Sequence, residues 1–308
     1  MMELIGCLIN MIQSTSIPNL ISPLTGPYSY YNNVRYGKYN RQSMDLFIPS
    51  SATPTGIVLL IHGGGFVVGS NDPSQYSQNS IDFIQNYFDN DVAFGYVNYR
   101  LMNIDEERIG VNVSLDCAVP AIDFLISNAS NFNIDPNKIC LKGSSGGNGL
   151  IMQYLHYGLN PINCVLLQSP QASYDILEWD NILQEERYDV IDHMKSNESA
   201  RKTLLRGVGL KNINDIYKPS IVAQRASYNY LSMPMTSVLG EAYVETLNIP
   251  AITDVTSLSH HFKQCISINS KFLAAGIASN LNIPNATPPH VVVNTETPED
   301  FIIRRIGA

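Results

Sequence analysis

The sequence has no long basic cluster. Its 308 residues carry 19 Lys and Arg against 27 Asp and Glu, a formal net charge of -8 and a pI near 5.2. Binding to nucleic acid depends on neutralising phosphates, so no DNA or RNA partner is expected. An uninterrupted apolar run of membrane-spanning length is also missing, and no transmembrane segment is expected. Residues Met1 to Ile12 are apolar but contain Glu3 and neither Lys nor Arg, so they lack the positive n-region of a secretory signal. Cysteine is scarce: Cys7, Cys117, Cys140, Cys164 and Cys265 are widely spaced and odd in number, which argues against a disulfide framework. Reduced core thiols point to an intracellular, cytoplasmic location, with a virion or secreted one left open. Neither a cofactor nor a metal ion is expected.

What is present reads as one large α/β unit with an insertion. Val34 to Asn40 and Arg41 to Pro49 alternate polar and apolar, as two antiparallel edge strands would. Ile57 to Ile61 is a continuous apolar run, the pattern of a strand buried on both faces. Val92 to Tyr99, Ile139 to Leu141 and Cys164 to Leu167 read as further strands, with Thr236 to Gly240 and His290 to Asn294 as the last two. Leu115, Ala118, Val119, Ile122, Leu125 and Ile126 recur at helical spacing, Pro120 being the one discord. From about Ala172 to Ser232 there are helical patches, the lone Trp179 and no strand pattern. Strands alternating with helices specify a doubly wound, mostly parallel sheet of about eight strands. The expected organisation is an N-terminal extension over 1–33, a core over 34–170 and 235–308, and a helical cap over 171–234.

Lys142-Gly143-Ser144-Ser145-Gly146-Gly147-Asn148-Gly149 joins the strand at Ile139 to an apolar helical run ending at Tyr157. A sharp strand-to-helix turn strains its central residue and leaves no room for side chains on either side. Gly-x-Ser-x-Gly around Ser145 meets that steric requirement, which makes Ser145 a candidate nucleophile.

Three motifs in order carry a resemblance: His62-Gly63-Gly64-Gly65, Asn98-Tyr99-Arg100-Leu101, and Asp135-Pro136-Asn137-Lys138 leading into Gly143-x-Ser145-x-Gly147. From about Val34 to Ala275 the chain resembles the α/β-hydrolase fold, specifically the carboxylesterase and hormone-sensitive-lipase-like esterases. The resemblance implies a small-molecule ester substrate, a serine nucleophile at Ser145 and no cofactor. It also implies an oxyanion hole, for which the amides of Gly64, Gly65 and Gly146 are the candidates, while His62 orders the glycine loop.

A hydroxyl needs a general base, itself oriented by a carboxylate, and in this fold the chain order is Ser, acid, His. The family pattern places an aspartate at position 243, where this sequence has Tyr243; Glu241 is the acid candidate, with Glu245 beside it. No histidine follows the expected final strand, and the chain ends soon after without the usual closing helix. Helices begin at the sheet edge where strands end, so His260 and His261, opening the helix that follows the acid loop, are the base candidates. His290, at the start of a five-residue strand spanning about 16 Å, falls at the opposite edge. His193 in the cap and His156 on the elbow helix have nothing that places them at the site. Two readings stay open: a serine carboxylic-ester hydrolase with an atypical triad, and an inactive pseudo-hydrolase kept as a binding or structural protein.

Overall fold

The computed structural model describes residues 24–72, 77–102, 110–183, 189–246, 255–283 and 296–307. Among them is one eight-stranded sheet: β1 (Tyr28–Arg35), β2 (Ser43–Pro49), β3 (Thr55–Ile61), β4 (Val92–Asn98), β5 (Ile134–Ser144), β6 (Ile162–Gln168), β7 (Leu239–Glu245) and β8 (Ala278–Asn282). Their spatial order is β1-β2-β4-β3-β5-β6-β7-β8. The β1–β2 and β2–β4 pairs are antiparallel and every other pair is parallel.

Alternation along β3 sorts the core onto two faces. Ile57, Leu59 and Ile61 pack with α3 (Ala118–Asn128), α4 (Gly147–Tyr157) and α10 (Phe262–Ala274). Val58 faces the other way, toward α1 (Gln78–Phe88) and α11 (Pro298–Ile306). A period of two in a strand buried on both faces produces this division. A four-residue helix, α2 (Asn112–Leu115), precedes α3. Pro120 is the third residue of α3, where its missing N–H has no intrahelical partner to lose.

Between β6 and β7 the described residues carry helices and no strand: α5 (Glu178–Ile182), α6 (Val190–Ser196), α7 (Glu198–Gly207) and α8 (Pro219–Ala226). α5, α6 and α7 share a separate hydrophobic cluster around Trp179, Leu183, Met194, Leu204 and Ile216.

The structure corrects four sequence expectations. First, β1 begins at Tyr28, inside the expected N-terminal extension, because residues after Arg35 are taken up by a turn in which Tyr36 N donates to Gln42 O at 3.0 Å. Second, Thr236 and Ser237 are not in the sheet. Their amides donate to Leu155 O at 2.9 and 3.1 Å, closing the end of α4, and the strand starts only at Leu239. Tyr243 is therefore a buried mid-strand residue, not a loop position, and the chain leaves the sheet at Thr246. Third, the last described strand is β8, paired to β7 from Glu241↔Ala278; the strand expected at His290 to Asn294 lies outside the described residues. Fourth, a closing helix exists. α11 is capped by Thr297, whose side chain accepts from Asp300 N, starts with Pro298, and buries Phe301, Ile302 and Ile306.

Candidate active site

β5 runs into the elbow and α4 leaves it. At the junction Ser145 has φ +49°, a left-handed conformation that is uncommon for a residue with a side chain. Three hydrogen bonds hold it there. Ser145 N donates to Gln168 O at 2.9 Å, and the buried Asn148 amide donates to Ser145 O at 3.0 Å and to Gln168 O at 2.8 Å. Gly147 is compulsory for a different reason: a Cβ there would run into the carbonyl of Ile61 at the end of β3. The strain at Ser145 turns its hydroxyl away from the sheet and toward a cavity.

His260 lies in the turn between α9 (Val255–Ser259) and α10, and its Nε2 is 2.8 Å from Ser145 Oγ. That is hydrogen-bond reach for proton transfer between a hydroxyl and an imidazole. His261, next in sequence, faces elsewhere. It is fully buried, and its Nδ1 accepts the amide of Lys263 at 3.4 Å as the N-cap of α10.

The glycine loop follows β3. Gly64 has φ +93°, and its carbonyl accepts from Val67 N at 3.0 Å and Val68 N at 3.2 Å, forming a tight turn. His62 underpins it. Its ring stacks on Tyr99 with centroids 4.2 Å apart, and its Nδ1–H donates to Gly63 O at 2.8 Å. Tyr99 Oη–H in turn donates to His62 O at 2.8 Å. Burial pushes the His62 imidazole down to about 4, so it is neutral at physiological pH and serves as a prop.

Gly64, Gly65, Gly146, Ser145 and His260 all line one cavity of about 380 Å³. Its remaining walls include Phe66, Met102, Tyr174, Trp179 and Leu204, with no Asp, Glu, Lys or Arg among the described lining residues. The candidate nucleophile, an imidazole and three glycines thus line a largely apolar chamber bounded on one side by the helical segment between β6 and β7.

A family model described as BD-FAE matches residues 44–161. Over 116 residues the chain is 30% identical to Gut esterase 1 of Caenorhabditis elegans, a match covering 36% of this chain and 20% of that protein. It is 31% identical over 134 residues to chlorogenic acid esterase of Aspergillus niger, covering 41% of this chain and 25% of that one. The matches thus span a quarter or less of these relatives' length. Solved structures agree over more of the chain. Francisella virulence factor BioJ superposes with a TM-score of 0.57 at 17% identity, covering 91% of this chain and 85% of that one. Esterase B from Lactobacillus rhamnosis gives 0.55 at 14% identity over 84% and 77%, and a bacterial heroin esterase 0.54 at 19% over 83% and 74%. The chain has the α/β-hydrolase fold.

In this α/β-hydrolase fold the acid candidate Glu241 is not brought to Ser145. It sits early in β7, where its carboxylate binds Arg304 at 3.1 and 3.2 Å and Arg305 at 3.4 Å. In register, Ser144, Gln168 and Glu245 are level, so Glu241 lies four residues, roughly 13 Å, back along the strand. Glu245 is at the correct edge and accepts a hydrogen bond from Gln168 Nε2 at 2.6 Å. His156 is buried in α4 and donates through Nδ1 to Met152 O at 2.7 Å. His193 is on α6, and His290 lies outside the described residues. Sequence reasoning passed over Asn148, although it is the third residue after the serine and its amide spans two carbonyls of the elbow.

Proposed function

We propose that the chain is a serine carboxylic-ester hydrolase in which Ser145 is the nucleophile and His260 its general base. The observation that carries this reading is the 2.8 Å contact between Ser145 Oγ and His260 Nε2 in the floor of an apolar cavity. Ser145 Oγ attacks the ester carbonyl carbon while its proton passes to His260 Nε2. The oxygen that becomes negative is met by the amides of Gly64, Gly65 and Gly146, each well-placed donor lowering the barrier by roughly 3 to 4 kcal/mol. His260 then returns the proton to the departing alkoxide, leaving an acyl group on Ser145, and a water molecule activated by the same imidazole releases the acid. The lining without ionised side chains suits uncharged esters, and the helical segment acts as a cap that keeps water from the acyl chain.

A fluorophosphonate probe tests the reading. Wild type should be labelled and Ser145→Ala should not. Absence of labelling under conditions that label an ordinary esterase would leave the fold as a binding scaffold and end the hydrolase proposal.

A further inference from the structure

We infer that Gln171, oriented by Tyr174, is the positioning residue that holds His260 against Ser145; this rests on the serine-hydrolase reading above. Gln171 follows β6 by three residues and is buried. Its Nε2 donates to the carbonyl of Ser259 at 3.3 Å and, more weakly, to that of Ser169 at 3.5 Å. Ser259 is the residue immediately before His260. Both of those partners are carbonyls, which only accept, so the amide nitrogen must face them. The other half of the amide is fixed independently, since Gln171 Oε1 accepts the hydroxyl of Tyr174 at 2.8 Å.

Tyr174 is itself locked in place. Its ring meets Phe66 edge-on with centroids 5.3 Å apart, and Phe66 is the residue after Gly65. The same ring occupies the space over α4 that a Cβ on Gly149 would need, at 2.7 Å. One hydrogen-bonded pair therefore touches all three segments that carry candidate groups: the glycine loop at Phe66, the elbow helix at Gly149 and the base turn at Ser259. His260 stands at the joint between the five-residue α9 and the start of α10. A tie to the preceding carbonyl fixes where that joint sits relative to the serine, and a misplacement of about 1 Å is enough to cost roughly 100-fold in rate.

The test is a double-mutant cycle read by the fluorophosphonate labelling rate and by steady-state hydrolysis of a chromogenic aryl ester, with thermal midpoints recorded for each variant. Gln171→Met keeps the volume and removes the hydrogen bonds. It should lower kcat roughly 10- to 100-fold with little change in KM. Tyr174→Phe keeps the ring, frees the amide, and should lower kcat less. Added to His260→Ala, Gln171→Met should have no further effect, because it acts through the imidazole. Independent, multiplying effects of Gln171→Met and His260→Ala would overturn the inference, as would an unchanged kcat in folded Gln171→Met. If Gln171→Met fails to fold, an unchanged kcat in Tyr174→Phe overturns it equally. Wild-type labelling by His260→Ala removes the parent reading and this one with it, whereas loss in His260→Ala but none in the Gln171 and Tyr174 variants removes this one alone.

Discussion

Ser145 Oγ and His260 Nε2 are 2.8 Å apart across 115 residues of sequence, and the imidazole arrives from the turn ahead of α10, before β8 is formed. The geometry follows from the sheet. β5 and β7 are parallel to each other through β6, so the chain leaving β5 at Ser145 and the chain passing from β7 toward α10 emerge at the same edge. A histidine just ahead of α10 is thereby delivered to Ser145 from a point in the chain before β8, the last described strand.

His260 and His261 should therefore separate cleanly. His260→Ala is expected to lose roughly three or more orders of magnitude in kcat/KM for an aryl ester. His261→Asn, which preserves an N-cap acceptor for Lys263 N, should hydrolyse that ester within a few-fold of wild type. Steady-state kinetics on the two purified variants decide it; equal losses would show that the base assignment is wrong.

Strain at the nucleophile predicts a stability difference between two inactive variants. At φ +49°, Ser145→Ala retains the left-handed penalty, while Ser145→Gly escapes it. Ser145→Gly should be the more stable of the two by about 1 kcal/mol. Urea unfolding of both gives the comparison, and an Ala variant as stable as the Gly variant would mean that the elbow is relaxed.

Asn148→Leu removes the amide that satisfies Ser145 O and Gln168 O inside the elbow. Each carbonyl keeps a backbone donor, Asn148 N for Ser145 O and Ser145 N for Gln168 O, so the loss is that of the two side-chain hydrogen bonds, about 1 kcal/mol each, and the denaturation midpoint should drop. Labelling of Ser145 should slow in parallel, since the same bonds hold the serine backbone. A variant with wild-type stability would show that the elbow is held by its glycines alone.

Acid should destabilise the fold between about pH 6.5 and 4. Burial pushes the imidazoles of His62 and His156 down to about 4 from an ordinary 6.5, so across that window the unfolded chain binds more protons than the folded one. Their contribution is complete above the unfolded value and is lost as the pH falls. Asp45 acts in the opposite sense. Burial raises its carboxyl to about 6, so its contribution is complete below 3.8 and is lost as the pH rises through 6. Two histidines outweigh one carboxyl, and acidification is unfavourable on balance. His156→Gln, which can still donate to Met152 O, should flatten the dependence by about 1.4 kcal/mol per pH unit within the window. Denaturant titrations at several pH values read this directly; identical slopes in the variant and wild type would count against a neutral buried His156.

Much of the site was legible in the sequence because its parts are local. Gly-x-Ser-x-Gly needs only a strand before it and a helix after it, and both are written in adjacent residues. The triple glycine after His62 is readable in the same way, since the tight turn it makes depends on backbone and not on distant partners. Where reading failed, the cause was strand register. Thr236 and Ser237 look like strand residues but spend their amides on Leu155 O at the end of α4, which moves β7 on by three residues. That shift turned Tyr243 from an apparent gap in the family pattern into a core residue, and put Glu241 among Arg304 and Arg305 at the far end of the strand. α11 was missed although Thr297, Pro298 and Asp300 form an ordinary helix start.

By itself the sequence determined the alternation of strands and helices from β2 to β6, the strained serine and the glycines around it, because steric demands and hydrophobic periodicity act over a few residues. It also offered two neighbouring histidines at the correct sheet edge as base candidates. Tertiary structure alone separates their surroundings. His261 turns inward to cap α10, His260 turns outward to Ser145, and the buried Gln171–Tyr174 pair ties down the turn, contacts that depend on where β6, β7 and α10 end in space.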